Sequence, residues 1–526
     1  MALVPFSTVR APGAMVAAAD GLATQAGLSV MAGGGNAVDA AIATNAVMAV
    51  TGPHLCGMGG DLFALVHHGA APPAALDASG AAVSGASAVA LRAEGHREMP
   101  FRHDIRTVTV PGCVDGWLAL HGRFGRLPLA DVLTPAVALA ENGFPASPLL
   151  VASLALVDEA GRANLADLAS QAEHPGACVR RPGVARALRA IASGGREAWY
   201  GGEFGTGLIE LGAGAVTAED LAQQQARWVT PLSVQAFGHD LWTVPPPSQG
   251  YLALAGAWLA DRLPLPDDPD DPAWAHFLIE AAAGAAYDRP DVLSDRADGP
   301  ALLAEERLAP RAAGIRADRA GQRYVDAADG DTTYLCTVDR DRTAVSLIQS
   351  NAAGFGSWLV EPATGVNLHN RGLGFSLVPG HPAELAPGRR PPHTLVPLLV
   401  TRPDGSLAAT LGSMGGDAQP QVLLQLLARL FHHGLSPAAA IAAGRWALRG
   451  TTGFDTWTVP HGPTVSVEGH AAGDWPDGLA ARGHRVERTA AFDGAFGHAH
   501  AIVVEATGML AAAADPRARI AAAAGL

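Results

Sequence analysis

Asp331-Thr332-Thr333-Tyr334-Leu335-Cys336-Thr337-Val338-Asp339 is the stretch around which the chain organises itself. Tyr334 to Val338 are mostly aromatic, aliphatic or β-branched and read as a strand. Asp339-Arg340-Asp341-Arg342 reads as a turn, and Thr343 to Gln349 as a second strand. The pair predicts a hairpin with Thr332 and Thr333 at its open end. The plain reading of two adjacent threonines is strand-forming sequence. The chemical reading is that Thr332 becomes a chain terminus. A threonine hydroxyl is a weak nucleophile near neutral pH, and the free α-amine of an N-terminal threonine is a base that activates it. That chemistry requires a cut between Asp331 and Thr332.

The chain has 526 residues, 49% hydrophobic and 16% charged, which is enough to bury a large core. Its formal net charge is -14 and it holds no basic block. Nucleic acid and anionic membrane are therefore excluded as main partners, while a small anionic substrate needs only a local arginine. Cys56, Cys113, Cys178 and Cys336 lack CxxC spacing, so neither a zinc site nor a disulfide framework is expected, and no metal or other cofactor is called for. The first ten residues do not resemble a signal peptide, and no apolar run suits a membrane span. The expectation is a cytoplasmic protein.

Outward from the threonine pair, residues 14–31 read as a strand and then a helix, stopped by Gly33-Gly34-Gly35. Residues 36–50 read as a helix buried on most faces. Gly57-Met58-Gly59-Gly60-Asp61 then leads into a strand at 62–66. A phosphate cradle needs the order strand, glycine loop, helix; here the order is helix, loop, strand, and tight backbone packing accounts for the glycines. His67, His68, His498 and His500 are expected at the surface. Residues 107–145 read as a strand and two helices, 150–235 as mostly helical, and Pro245-Pro246-Pro247-Ser248-Gln249-Gly250 as a rigid turn into a helix. Another helix is expected over 276–287. Residues 300–331 form a polar linker of the kind that tolerates a chain break. Strand-like runs dominate 333–411, followed by helices at 419–433 and 437–448 and further strands to 505.

Taken together, the motifs resemble the γ-glutamyltransferase (glutathione hydrolase) family of N-terminal-nucleophile hydrolases. They are Gly33-Gly-Gly-Asn-Ala-Val-Asp-Ala-Ala41, Gly57-Met-Gly-Gly-Asp61, Val110-Pro-Gly with Gly125-Arg-Leu-Pro128, Pro245-Pro-Pro-Ser248, Thr332-Thr333 with Val338-Asp339, Phe355-Gly-Ser357, Gly412-Ser-Met-Gly-Gly416 and Ala514-Asp-Pro-Arg517. They follow the family's order over nearly the whole chain. The resemblance implies an α+β fold, a four-layer αββα sandwich of two stacked antiparallel sheets between helical layers. It implies self-cleavage into a large subunit, 1–331, and a small subunit, 332–526, that stay folded as one unit. It also allows a dimer of these heterodimers.

The resemblance carries over residue by residue. Thr332 matches the nucleophile and Thr333 the residue that helps to position it. Ser350 matches a threonine that hydrogen-bonds the nucleophile. Gly415 and Gly416 match the pair whose N–H groups form the oxyanion hole, a job that suits glycine because backbone donors can approach closely. The substrate pocket departs from the family. No arginine lies in the 77–87 stretch to hold an α-carboxylate. Asn370 is kept, but Arg371 stands where the family has glutamine and Gly374 where it has the aspartate that holds an α-ammonium. His393-Thr394 replaces a serine pair, and Ala352, beside Asn351, replaces a pocket asparagine. The reading is a self-processing amide hydrolase acting on a small carboxylate-bearing amide, as in the cephalosporin (glutaryl) acylases and oxamate amidohydrolase. A true glutathione hydrolase is the alternative, and a non-catalytic binding protein on the same fold is a second. A plainer role for Arg371 is an ion pair with a carboxylate such as Glu361.

Overall fold

The computed structural model describes residues 6–321, 331–449, 456 and 463–526. The threonine pair opens the strand Asp331–Val338, which pairs antiparallel with Ala344–Ala352, Thr333 opposite Gln349 and Val338 opposite Ala344. Asp339 makes the intervening turn. Its Oδ1 accepts from the N–H groups of Asp341 and Thr343, both at 3.0 Å, the local bonding that suits aspartate to turns. Its Oδ2 accepts from Ala37 N, 3.0 Å away, at the start of helix Ala37–Thr51, where a carboxylate complements the helix dipole. Asn36 and Asp39 form a capping box on the same helix, and Asp39 also accepts from Arg126 N and Leu127 N. Three of the motifs are thus one hydrogen-bonded junction.

Two large antiparallel sheets carry the fold. One runs in the order Ala522–Gly525, Met15–Ala18, Asp331–Val338, Ala344–Ala352, Asp61–His67, Ala74–Ala78, Arg227–Val229. The other runs Val9–Ala11, Leu510–Ala514, Ala499–Val504, Leu407–Ser413, Leu398–Thr401, His239–Thr243, Leu232–Ala236. Strand periodicity sorts the side chains into layers. Tyr334, Cys336, Val338, Phe63, Ile348, Leu399 and Ile502 fill the space between the sheets. Leu335, Leu347, Leu62 and Val66 face the other way, onto the helices Gly21–Ala32, Ala37–Thr51 and Leu129–Asn142. Leu398, Leu411, Ala499 and Ala501 pack on Tyr251–Ala260, Pro272–Ala286 and Gln419–Leu427. This is the expected four-layer αββα sandwich.

Close packing explains several glycines. A Cβ on Gly60 would lie 2.3 Å from Ser350 O, and one on Gly412 would lie 2.2 Å from the Tyr334 ring. Beneath the second sheet, Asp515 accepts from Ala499 N and Arg445, each at 2.7 Å, while Arg517 binds Asp515 and Glu468. These four charges are buried together, which accounts for the Ala514–Arg517 motif.

Some expectations fail for identifiable reasons. The 150–235 region is helical only to Ala222; Arg227–Val229 and Leu232–Ala236 are edge strands, one on each sheet. The 437–448 helix stops at Ala442, and Trp446–Arg449 pairs instead with Thr464–Glu468, a tertiary pairing that overrides local alanine content. The 419–433 helix is α-helical to Leu427 and then widens to a π-turn. His67, His498 and His500 are buried rather than at the surface; only His68 is exposed. His67 faces Gly405 O at 3.0 Å, and His500 Nδ1 accepts from Asp515 N at 3.2 Å. Burial holds His498 near 4 and His500 near 3, so both are neutral. Residues 300–302 and 305–313 of the anticipated linker are helical, and 322–330 lie outside the described residues. Among the described residues no helix is long and apolar enough to cross a membrane.

Candidate active site

Thr332 sits at the start of a central strand and is almost fully buried. Its Oγ1 donates to Ser350 Oγ across the hairpin at 3.1 Å. Ser350 Oγ also accepts from Ala352 N at 2.8 Å and, in a longer contact, from Arg371 Nη2 at 3.4 Å. The nucleophile candidate, its hydroxyl partner and the substituted arginine therefore meet at one oxygen. Thr333 Oγ1 is buried without a hydrogen-bond partner among the described residues.

Arg371 lines a cavity of about 190 Å³ with Arg289, Gly374, Ser376, His381 and Thr394. Burial pulls the Arg371 guanidinium down to about 10, Asp61 opposing, so it stays charged at neutral pH. Glu361 does not occupy it: that carboxylate accepts from Thr364 Oγ1, Thr364 N and Ala363 N within its own turn. Arg289 lies 3.4 Å from Asp417, next to Gly416. A Cβ on Gly374 would come within 2.4 Å of Pro392 O. The acidic residue found there in the family has no room here without a backbone shift.

Gly415 and Gly416 have φ of 130° and 54° and open the 3-10 turn Gly416–Ala418. Both angles lie in the left-handed region that favours glycine. Among the described residues neither N–H has an acceptor, as an anion-receiving pair requires. Gln249 ties this turn to the cavity wall, donating from Nε2 to Gly416 O and Thr394 O, each at 3.0 Å.

The remaining pocket candidates make contacts with the surrounding scaffold. Asn351 Nδ2 donates to Pro53 O at 3.2 Å. Asn370 donates to Phe101 O and accepts from Ala353 N. His393 does not line the cavity; its Nε2 lies 3.4 Å from Asp61 Oδ2, its ring edge-on to Phe63. His369 Nδ1 lies 3.4 Å from the same oxygen. Asp61 Oδ1 accepts from Gly80 N at 2.9 Å. Burial alone would raise the Asp61 carboxyl, but His369, first, and Arg371 outweigh it and hold it down at about 2. Burial, with Arg371 beside it, drives the His393 imidazole well below its usual range, so it is neutral.

Asp61 gives a pH prediction. Its folded pKa lies below the ordinary carboxylate value near 4, so its stabilisation is complete above about pH 4 and is lost as pH falls towards 2. Asp61→Asn should cost on the order of 3 kcal/mol at neutral pH, because it removes a buried carboxylate that offsets the charge of Arg371. Thermal melts of both proteins should differ widely at pH 7 and much less at pH 2; an equal difference at both would refute the assignment.

Asp61, His369, Gln249, Arg289 and Asp417 were not among the residues expected from sequence. Asp61 closes the glycine run and Gln249 follows the proline turn, so both lie in motifs that were visible. Arg289 carries no motif; only the fold brings it to the cavity.

Two stacked antiparallel sheets with a threonine opening a central strand define the N-terminal-nucleophile hydrolase fold. The sequence model of the gamma-glutamyltranspeptidase family matches residues 23–525. An oxamate amidohydrolase proenzyme of Klebsiella pneumoniae is 36% identical, over 97% of this chain and 98% of that one. A glutathione hydrolase-like proenzyme of Bacillus subtilis is 33% identical, over 96% and 97%. A cephalosporin acylase from Bacillus halodurans superposes with a TM-score of 0.89 at 33% identity, over 99% of this chain and 97% of that one. The chain belongs to the gamma-glutamyltranspeptidase family and is an enzyme of its acylase and amidohydrolase-like branch.

Proposed function

We propose that this enzyme cuts itself between Asp331 and Thr332 and then hydrolyses amides whose acyl group carries a carboxylate and no α-ammonium. Residues 1–331 become the large subunit and 332–526 the small one. Thr332 Oγ attacks the amide carbonyl while the freed α-amine takes the hydroxyl proton. The oxyanion develops against the N–H groups of Gly415 and Gly416. The C–N bond breaks, the proton passes to the leaving amine, and an ester to Thr332 remains. Water attacks that ester, giving its proton to the amine, and Thr332 Oγ leaves with a proton as the acid is released.

The observation that carries the substrate class is Arg371. It contacts the hydroxyl partner of Thr332 and lines the cavity beside Arg289, and a guanidinium fork suits a carboxylate. Gly374 leaves no acid there for an ammonium. The names of the Klebsiella and Bacillus halodurans relatives point the same way. The Bacillus subtilis relative keeps a glutathione-type substrate as the competing reading.

Kinetics on glutaryl, oxamoyl and γ-glutamyl anilides separate the two. The acid-bearing amides should be preferred. Arg371→Gln should lower kcat/KM for them by about 10–100-fold, the worth of a charged hydrogen bond, and leave γ-glutamyl turnover nearly unchanged. Efficient γ-glutamyl turnover by the wild type, with glutaryl activity intact in the variant, would return the enzyme to glutathione chemistry.

A further inference from the structure

Away from the cavity, the helix Pro272–Ala286 places His276 and Glu280 one turn apart on the same face. His484 reaches them from the loop after the helix Trp475–Ala481, 208 residues beyond His276. One ligating atom from each of the three lies within 4.8 Å of the others. His276 Nε2 is 2.7 Å from the carbonyl of Arg316. A carbonyl only accepts, so Nε2 carries the proton and Nδ1 turns a lone pair to the cluster. That is how a metal-bound imidazole is oriented by its outer partner. Glu280 Oε2 is fixed in turn by Gly321 N at 3.0 Å. His276 and Glu280 are buried, and His484 is half-buried, leaving a solvent side for water as a fourth ligand.

We propose that His276, Glu280 and His484 form a binding site for a divalent transition metal of the zinc class. Two imidazoles and one carboxylate match that ion and are poor in the oxygens that magnesium or calcium needs. The site does not depend on the substrate reading above. Its competitor is a simple hydrogen bond, because His276 Nδ1 and His484 Nε2 stand 2.8 Å apart. Around a tetrahedral zinc the two nitrogens would stand about 3.3 Å apart, so binding opens the pair by about half an ångström and puts His484 in its other tautomer. Arg482 nearby opposes a cation and Asp318 favours one.

The placement suggests what the ion does. His276 and Glu280 precede Thr332 in the chain and His484 follows it. Residues 317–320 lie along the same loop, with Ala320 N donating to Arg482 O at 2.7 Å and Arg482 Nε to Ala317 O at 3.1 Å. A bound ion would clamp the 317–321 segment onto the half of the chain that follows Thr332.

The test uses tag-free, full-length protein stripped with a chelator. Zinc is titrated calorimetrically, and cobalt is added separately to read ligand-field absorption. One equivalent should bind and raise the melting temperature. Glu280→Gln, which keeps the side chain's shape, and His484→Asn should each weaken binding by about 100-fold or more, at least the upper range for perturbed outer partners, and abolish the cobalt bands. Absence of stoichiometric binding, or binding unchanged in a folded Glu280→Gln protein, would overturn the proposal in favour of the histidine–histidine hydrogen bond.

Discussion

Thr332→Ala is expected to remain a single chain of 53.6 kDa and to lose activity by on the order of 10⁴-fold or more. The wild type should run as two bands on a denaturing gel, the smaller beginning Thr-Thr-Tyr-Leu. The expected loss is large because the residue supplies two things at once. In the proposed mechanism its Oγ is the attacking atom, and its amine, once freed, is the base. The substitution should spare the fold. Thr332 Oγ1 makes one hydrogen bond, to Ser350, whose own oxygen keeps the Ala352 and Arg371 donors. An uncut but fully active protein, or an N-terminus at another bond, would sink the assignment. Thr332→Ser, which keeps both hydroxyl and amine, should process and retain measurable turnover.

Gly416→Val carries the second large effect. The glycine sits at φ 54°, and a β-branched residue is strained there. The turn would have to move, and its N–H groups would swing off the oxyanion that the proposed mechanism develops there. Losing one such donor costs on the order of 10²–10³ in turnover. The measurement is kcat on the best anilide, beside a thermal melt that confirms folding. A variant that folds, processes and turns over within about threefold of wild type would show that the oxyanion is held elsewhere. Gly416→Ala, with less bulk at the same φ, should fall between.

The frame of the fold was legible in the sequence because its strands alternate cleanly. Tyr334, Cys336 and Val338 face one layer and Leu335 the other, which two-residue periodicity predicts. The motifs were legible for a different reason: each encodes a local junction, such as Asn36, Asp39 and Asp339 around one helix start. What sequence missed was assembled from far apart. Trp446–Arg449 lies in an alanine-rich run and becomes a strand only because Thr464–Glu468 is there to pair with it. His498 and His500 read as polar residues near the chain end, yet the sandwich closes over them. Arg289 reaches the cavity only through the packing of helices onto the second sheet. In the site itself, the motifs that carry 332, 350, 371, 415 and 416 were readable, and the fold brings Thr332, Ser350 and Arg371 to one oxygen. The contacts of Asn351, Asn370 and His393 were not readable, since such polar side chains serve backbone carbonyls, backbone amides and buried carboxylates alike.

The strand order of the two sheets has a consequence for the life history of the molecule. In the first sheet strands from before and after Thr332 are interleaved, in the second those from before it flank those from after it, and neither portion completes either sheet by itself. An intact chain assembles this arrangement as a first-order event, its halves held at a high effective concentration by their covalent connection. Under the proposed processing that connection is severed only after the strands have been threaded. From then on the folded state remembers a route it can no longer retrace. Mature protein that is fully unfolded must find its other half by diffusion, with exposed strand edges competing for the wrong partners. Refolding yield should therefore depend on protein concentration for the processed enzyme and not for the Thr332→Ala precursor.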